Sequence, residues 1–288
     1  MAQTYVQQKK DEWSGGQADQ RTKRRSNYPA SPSAGRGILK RYEKFFAQAV
    51  AGREKFTACV LGATPELRDM VLARDGALTT IDISREMVEK CSRIMKHCND
   101  SREHIVIGNW LDSGLPSRAF DVVLGDGVSN NVPFADQNGF FTAIHRILKQ
   151  DGTLIMREAT VNPRRPRRTV QEIDDDFTGG IIHWFDAFIN LYLYSELTDK
   201  CRDDDTGKSE MIKFWSLVEE VYQRGDLSKK TFDSMWWFRG DLVHTFLNRP
   251  IFDRFIQKYF TLLPVKQATD FLFTQDTFLF FVGKPKVL

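Results

Sequence analysis

Nowhere in the 288-residue sequence does an uncharged apolar run approach the ~20 residues a membrane-spanning helix needs, and Met1 to Lys10 lack the apolar core of a secretory signal. The chain is therefore expected to stay out of the membrane and the secretory route. Cysteine is scarce as well. Cys59, Cys91, Cys98 and Cys201 form no CxxC pair, and no histidine stands near them at zinc-ligand spacing. A disulfide scaffold or zinc module is thereby excluded, no metal is expected, and a reducing, cytoplasmic setting is expected instead. Excess charge of one sign is missing too: 41 basic against 38 acidic residues leave a formal charge of +3. Such a balance offers no electrostatic case for nucleic acid or anionic lipid as partner. The basic run Arg21 to Arg25 sits in a polar N-terminal stretch and reads as part of a solvated arm. What the chain does have is 41% hydrophobic and 12% aromatic residues, enough for a well-filled core.

Residues 1–37 are rich in Gln, Lys, Arg, Ser and Gly, with Trp13 and Tyr28 as bulky exceptions, and read as an N-terminal arm or lid. From Ile38 to Ala51 apolar residues recur at helical spacing. Strands and helices then alternate. Strands are expected at 56–61, 77–83, 104–107, 120–124 and 153–156, with helices opened by Thr64-Pro65 and Ser84 and another over 140–148. Asp151-Gly152 reads as a turn. This rhythm predicts a parallel sheet covered on both faces. After Glu158 it breaks: residues 159–250 read as a helical insertion, with helices over Ile181 to Leu197 and Met211 to Gln223. Strands return at 259–265 and 277–282 around a turn at Gln275-Asp276, close enough to make the last strand antiparallel.

The strongest constellation is Val60 to Leu67 followed by Asp82. A glycine ending the first strand lets a ligand approach the backbone beside a helix N-terminus. An acid at the tip of the second strand can accept hydrogen bonds from both hydroxyls of a ribose. The loop lacks the further glycines of GxGxxG, and a proline opens its helix, so the cradle for a pyrophosphate is absent. That counts against a dinucleotide. It does not count against S-adenosylmethionine (SAM), which has no phosphate.

With the loop Leu61-Gly62-Ala63-Thr64-Pro65-Glu66-Leu67-Arg68, the acid Asp82 and the fourth-strand end Leu124-Gly125-Asp126-Gly127, the chain resembles the class I SAM-dependent methyltransferases, particularly bacterial small-molecule members. The resemblance covers residues 38–158 and the closing strands 259–284, not the insertion. It implies a Rossmann-like α/β fold with a sheet of about seven strands. It also implies that Gly62, Ala63 and Thr64 line the methionyl and ribose portion of SAM, that Asp82 holds the ribose diol, and that Ile83 packs on the adenine. Asp126 is then placed near the methionine moiety. Asn109, Trp110 and Leu111 follow the third strand in Gly108-Asn109-Trp110-Leu111, where relatives commonly carry Gly-Asp-Trp, with Asn109 at the aspartate position; its amide oxygen can still accept from an adenine amino group, without the charge of an aspartate.

Four segments are expected: the arm 1–37, the SAM-binding core 38–158, a substrate-capping insertion 159–250, and closing strands 251–288. Candidates for chemistry are fewer. Asn130 either orients an acceptor or caps its loop. His183 and His244 are the titratable bases of the insertion. Arg157 and Glu158, just past the fifth strand, read equally as ligand-binding groups or as a salt-bridged pair. Trp184, Tyr192, Trp236, Trp237 and Phe238 are core, or an aromatic wall. The expected function is methyl transfer from SAM to a small molecule. The alternatives are cyclisation of SAM to azetidine-2-carboxylate and methylthioadenosine, which an aromatic cage around the sulfonium would favour, and a non-catalytic SAM-binding protein.

Overall fold

The computed structural model describes residues 2–13, 37–264, 266–267 and 276–288. Tyr28, Gln275 and the basic run Arg21 to Arg25 lie outside these residues. Five parallel strands form the centre: β1 (Thr57–Leu61), β2 (Ala77–Asp82), β3 (Glu103–Ile107), β4 (Phe120–Asp126) and β5 (Leu148–Ala159). Their alternation sends side chains to two buried faces. Ala58 and Val60 of β1 join one core cluster, and Cys59 and Leu61 join the other.

On the first face lie α2 (Ile38–Ala49) and α3 (Pro65–Leu72). Ile38, Tyr42 and Phe46, four residues apart, bury one stripe of α2. The strand β2 leads into α4 (Arg85–Ser92), whose N-cap Ser84 accepts from Met87 N at 3.2 Å. On the second face lie α5 (Gln137–Ile147) and, late in the chain, α11 (Arg249–Tyr259).

The sheet order is β3-β2-β1-β4-β5-β10-β8, where β8 is Phe260–Leu262 and β10 is Phe278–Pro285. A short β9 (Lys266–Gln267) also pairs with β10. The last strand, β10, slots antiparallel between β5 and β8. The sheet thus has the expected topology, and two boundaries differ. Asp151-Gly152 is no turn between elements: β5 starts at Leu148, opposite Phe120, and the dipeptide lies within the register irregularity between Phe120 and Val122. Tyr259 ends α11 rather than starting a strand, because Phe252, Ile256 and Tyr259 share the helix's buried stripe.

Residues 160–248 hold α6 (Val170–Thr178), α7 (Trp184–Leu193), α8 (Thr198–Cys201), α9 (Met211–Gln223) and α10 (Lys229–Trp236). They also hold a two-stranded antiparallel ribbon, β6 (Lys208–Glu210) with β7 (Val243–Thr245), that the helical reading omits. The helix α7 is shorter than expected, since His183 caps its start and Tyr194 leaves the helical region. The aromatics of this segment pack on one another, Phe188 stacking on Trp215 at 5.7 Å and Trp184 meeting Trp237 edge-on at 5.2 Å. Most belong to the same hydrophobic cluster as α2 and the first sheet face. The insertion therefore shares the core of the sheet.

Candidate functional site

Five parallel strands ending on one side leave a crevice at their carboxyl ends, the place where open α/β sheets bind ligands. A cavity lies there. It is lined by all nine residues expected to bind a cofactor: Gly62, Ala63, Thr64, Asp82, Ile83, Asn109, Trp110, Leu111 and Asp126.

The geometry begins at Gly62, whose φ of +84° is a conformation that L side chains rarely adopt. A Cβ there would point between Trp110 and Val128 (both 3.8 Å) and Asp82 Oδ2 (3.9 Å), all residues that line the cavity. The loop is fixed by Gly62 N donating to the Ile81 carbonyl at 2.8 Å. Trp110 Nε1 donates to the same oxygen at 2.9 Å, which holds the indole beside the glycine. Asp82 Oδ1 accepts from Ser84 N at 2.7 Å, while Oδ2 stands on the glycine side. Burial pushes the Asp82 carboxyl up to about 6, against the lowering pull of the backbone N–H groups of Ser84, Ala63 and Ile83. Asn109 turns its amide oxygen back on Leu111 N at 3.1 Å, so one lone pair of that oxygen remains for a ligand.

At the β4 end, Asp126 is gripped by Arg157, with Nε on Oδ1 at 2.6 Å and Nη2 on Oδ2 at 3.0 Å. Arg157 thus pairs across to Asp126 rather than with its neighbour Glu158. The Tyr42 hydroxyl donates to the Gly125 carbonyl at 2.7 Å and lies 3.1 Å from Asp126 Oδ1. Glu158 turns to the following loop, where its carboxylate accepts from Val128 N (3.1 Å), Ser129 N (3.3 Å) and Ser129 Oγ (2.7 Å). Burial holds the Glu158 carboxyl at about 8, against the hydrogen bonds from Ser129.

The three residues picked for chemistry stand elsewhere. Asn130 is buried, its Nδ2 donating to the carbonyls of Ala159 (2.8 Å) and Thr245 (3.0 Å) and its Oδ1 accepting from Ala159 N (3.0 Å). With both amide donors and the oxygen engaged by backbone, it takes the loop-fixing role of its two readings. His183 accepts from Phe185 N at 3.2 Å as the cap of α7. His244 lies on β7, its ring 5.1 Å from that of Phe246. None of the three lines the cavity, and neither do the insertion's tryptophans; among the described residues the cavity's aromatic rings are Trp13 and Trp110.

Sequence reasoning missed several lining residues. Met87 and Cys91, four apart on α4, were findable from helical phase once Ser84 was read as a cap. Val128 and Val132 come from the loop after β4, together with Asn131, which the sequence offers beside Asn130 to orient an acceptor or cap the loop; Lys9 and Trp13 come from an N-terminal helix α1 (Ala2–Glu12) and the residue after it, in the stretch read as an arm or lid. No spacing signal ties these last two to the site.

Residues 61–156 match the family model described as a methyltransferase domain. A comparison with curated proteins gives no sequence match. Among solved structures, the chain is similar in fold to magnesium protoporphyrin IX methyltransferase from Synechocystis PCC 6803 with bound SAH. The identity is 12%, the coverage is 98% of this chain and 100% of that one, and the TM-score is 0.54. It is similar also to a protein from Pyrococcus horikoshii OT3, at 14% identity, coverage of 86% and 90%, and a TM-score of 0.52. The matched segment, similar to a methyltransferase domain, holds the glycine loop, Asp82, the Trp110 turn and Asp126.

Proposed function

We propose that the cavity binds SAM and that the protein transfers its methyl group to a small-molecule acceptor. The observation that carries this is Asp82, a carboxylate at the cavity floor beside a glycine whose missing side chain leaves the space open. Bound SAM supplies an electrophilic methyl group on a sulfonium. Everything else is the work of the chain. Asp82 accepts from the two ribose hydroxyls through charge-assisted bonds. Ile83, Met87 and Cys91 give a purine an apolar wall, and Asn109 keeps a lone pair for its amino group. Asp126, fixed from both sides by Arg157 and Tyr42, holds a stationary negative charge near the methionyl group.

Methyl transfer is an in-line displacement, so positioning supplies much of the rate. The loop 127–132 is built for that. Glu158 holds it from β5, Gln137 Nε2 donates to its Ser129 and Val132 carbonyls (2.9 and 2.8 Å), and Asn130 ties it to Thr245 on β7. The acceptor is proposed to enter at this loop, with the insertion as its cover. The aromatic rings among the described lining residues are Trp13 and Trp110, and SAM cyclisation, the alternative that an aromatic cage would favour, is distinguished by its product.

Incubation with SAM alone, and with SAM plus a pooled small-metabolite fraction, tests the reading. S-adenosylhomocysteine (SAH) should form only when an acceptor is present. Methylthioadenosine from SAM alone would mean attack by SAM on itself, and binding with no turnover under any condition would mean a sensor. Either result rejects methyl transfer.

A further inference from the structure

The cavity has one wall that lies outside the family-matched residues 61–156. It comes from the N-terminal helix α1, Ala2-Gln3-Thr4-Tyr5-Val6-Gln7-Gln8-Lys9-Lys10-Asp11-Glu12, whose second half is wholly polar. Among the described side chains of this segment, Gln7, Gln8, Lys10 and Asp11 are exposed, whereas Lys9 and Glu12 are buried and Trp13 is half-buried. A charged pair sunk between exposed neighbours marks the side pressed against the protein.

Two anchors hold that side. Lys9 Nζ donates to Glu12 Oε2 at 2.6 Å and to the carbonyl of Val243, on β7, at 2.5 Å. Trp13 offers its carbonyl to Ser84 Oγ at 2.7 Å, and its side chain packs on the cluster of Ala63, Met87, Val88 and Cys91. Lys9 and Trp13 both line the cavity. Four helical residues rise about 6 Å, so this stretch reaches from β7 to the turn where α4 begins. An element laid along the edge of a site in this way can open locally far below the cost of global unfolding.

Resting on the reading of the cavity as a SAM site, we propose that α1 with Trp13 is the outer wall of that site, closing over the adenosine end, and that it must open for cofactor exchange. Trp13 then covers the ligand beside Ser84, Met87 and Cys91, next to the loop that carries Asp82. The strand β7 touches both sides of this arrangement. Its Val243 carbonyl holds Lys9, and its Thr245 carbonyl holds Asn130 in the loop after β4. The wall and the acceptor loop are thus tied to one short strand of the insertion.

The test uses the full-length protein and SAH as probe, with SAH dissociation followed by stopped-flow displacement. Trp13→Ala should raise the dissociation rate about ten-fold or more, because the change removes a bound-state contact, while Trp13→Phe, which keeps an apolar wall, stays near wild type. Melting temperatures of the ligand-free proteins should be alike. Hydrogen exchange on the wild type gives a second readout: SAH should protect residues 2–13. An unchanged dissociation rate in Trp13→Ala, or exchange at 2–13 that ignores SAH, overturns the wall and leaves the cavity reading standing. Wild-type protein that binds no SAH overturns both.

Discussion

A carboxylate at the bottom of a largely apolar cavity is costly to keep charged, and burial holds Asp82 near 6 rather than at an ordinary aspartate value. Two ribose hydroxyls can donate only to lone pairs, so ligand binding favours the charged form and pulls this pKa down. Binding then releases a proton wherever the free protein still holds one. SAH affinity should be level above about pH 7 and fall by up to about ten-fold per pH unit below pH 6. Calorimetric titrations between pH 5 and pH 8 measure this, and a dissociation constant constant across that range would remove Asp82 from the ligand. The same residue shows why part of the site was legible. Glycine and aspartate at the tips of successive strands are local features, fixed by a few neighbouring residues, and Gly62 and Asp82 line the cavity with the seven further positions that the family resemblance implies. Asn130, His183 and His244 carry donors and acceptors too, but their partners are set by tertiary packing. The Ala159 and Thr245 carbonyls that absorb Asn130 lie 29 and 115 residues away.

Between elements, the decisive contact is that of β5 with the loop leaving β4. Glu158 supplies the acceptor for Val128 N, Ser129 N and Ser129 Oγ, and its carboxyl is held at about 8 by burial. The folded state therefore keeps a proton that the unfolded chain releases near the ordinary glutamate value. Its stabilising share is fully present below that value and is lost as pH rises through about 8. Wild-type melting temperature should fall between pH 6 and pH 9 with a component that Glu158→Gln, which cannot titrate, lacks. Parallel scanning-calorimetry pH series for the two proteins decide the matter, and identical slopes would show that Glu158 does not hold this proton. Glu158→Ala should cost about 3 kcal/mol or more, since it leaves buried donors without acceptors at about 1–3 kcal/mol each. Strands and helices of this core were readable from period and caps, because their burial follows local alternation. The ribbon of β6 and β7 was not: three-residue strands carry too little pattern, and their pairing spans the whole of α9 and α10.

For the whole molecule, one sheet organises everything. Its two faces bury separate clusters, the insertion extends the first of them, and the carboxyl ends of β1, β2 and β4 meet at one cavity. A parallel sheet with an antiparallel last strand was readable from the alternating core and the short closing connection, whereas the order β3-β2-β1-β4-β5-β10-β8 comes from the structure. How the insertion folds back did not, since its aromatic residues are as fit for a ligand wall as for the core they form. The central claim is that this cavity is the SAM site with Asp82 at its heart. Titration of SAH into wild-type protein and into Asp82→Ala by calorimetry tests it most directly. Two charge-assisted hydrogen bonds at about 1.5–3 kcal/mol each should be lost, so the wild type binds and the folded variant binds at least about 100-fold more weakly. Equal affinity in a variant that melts like the wild type would contradict the assignment.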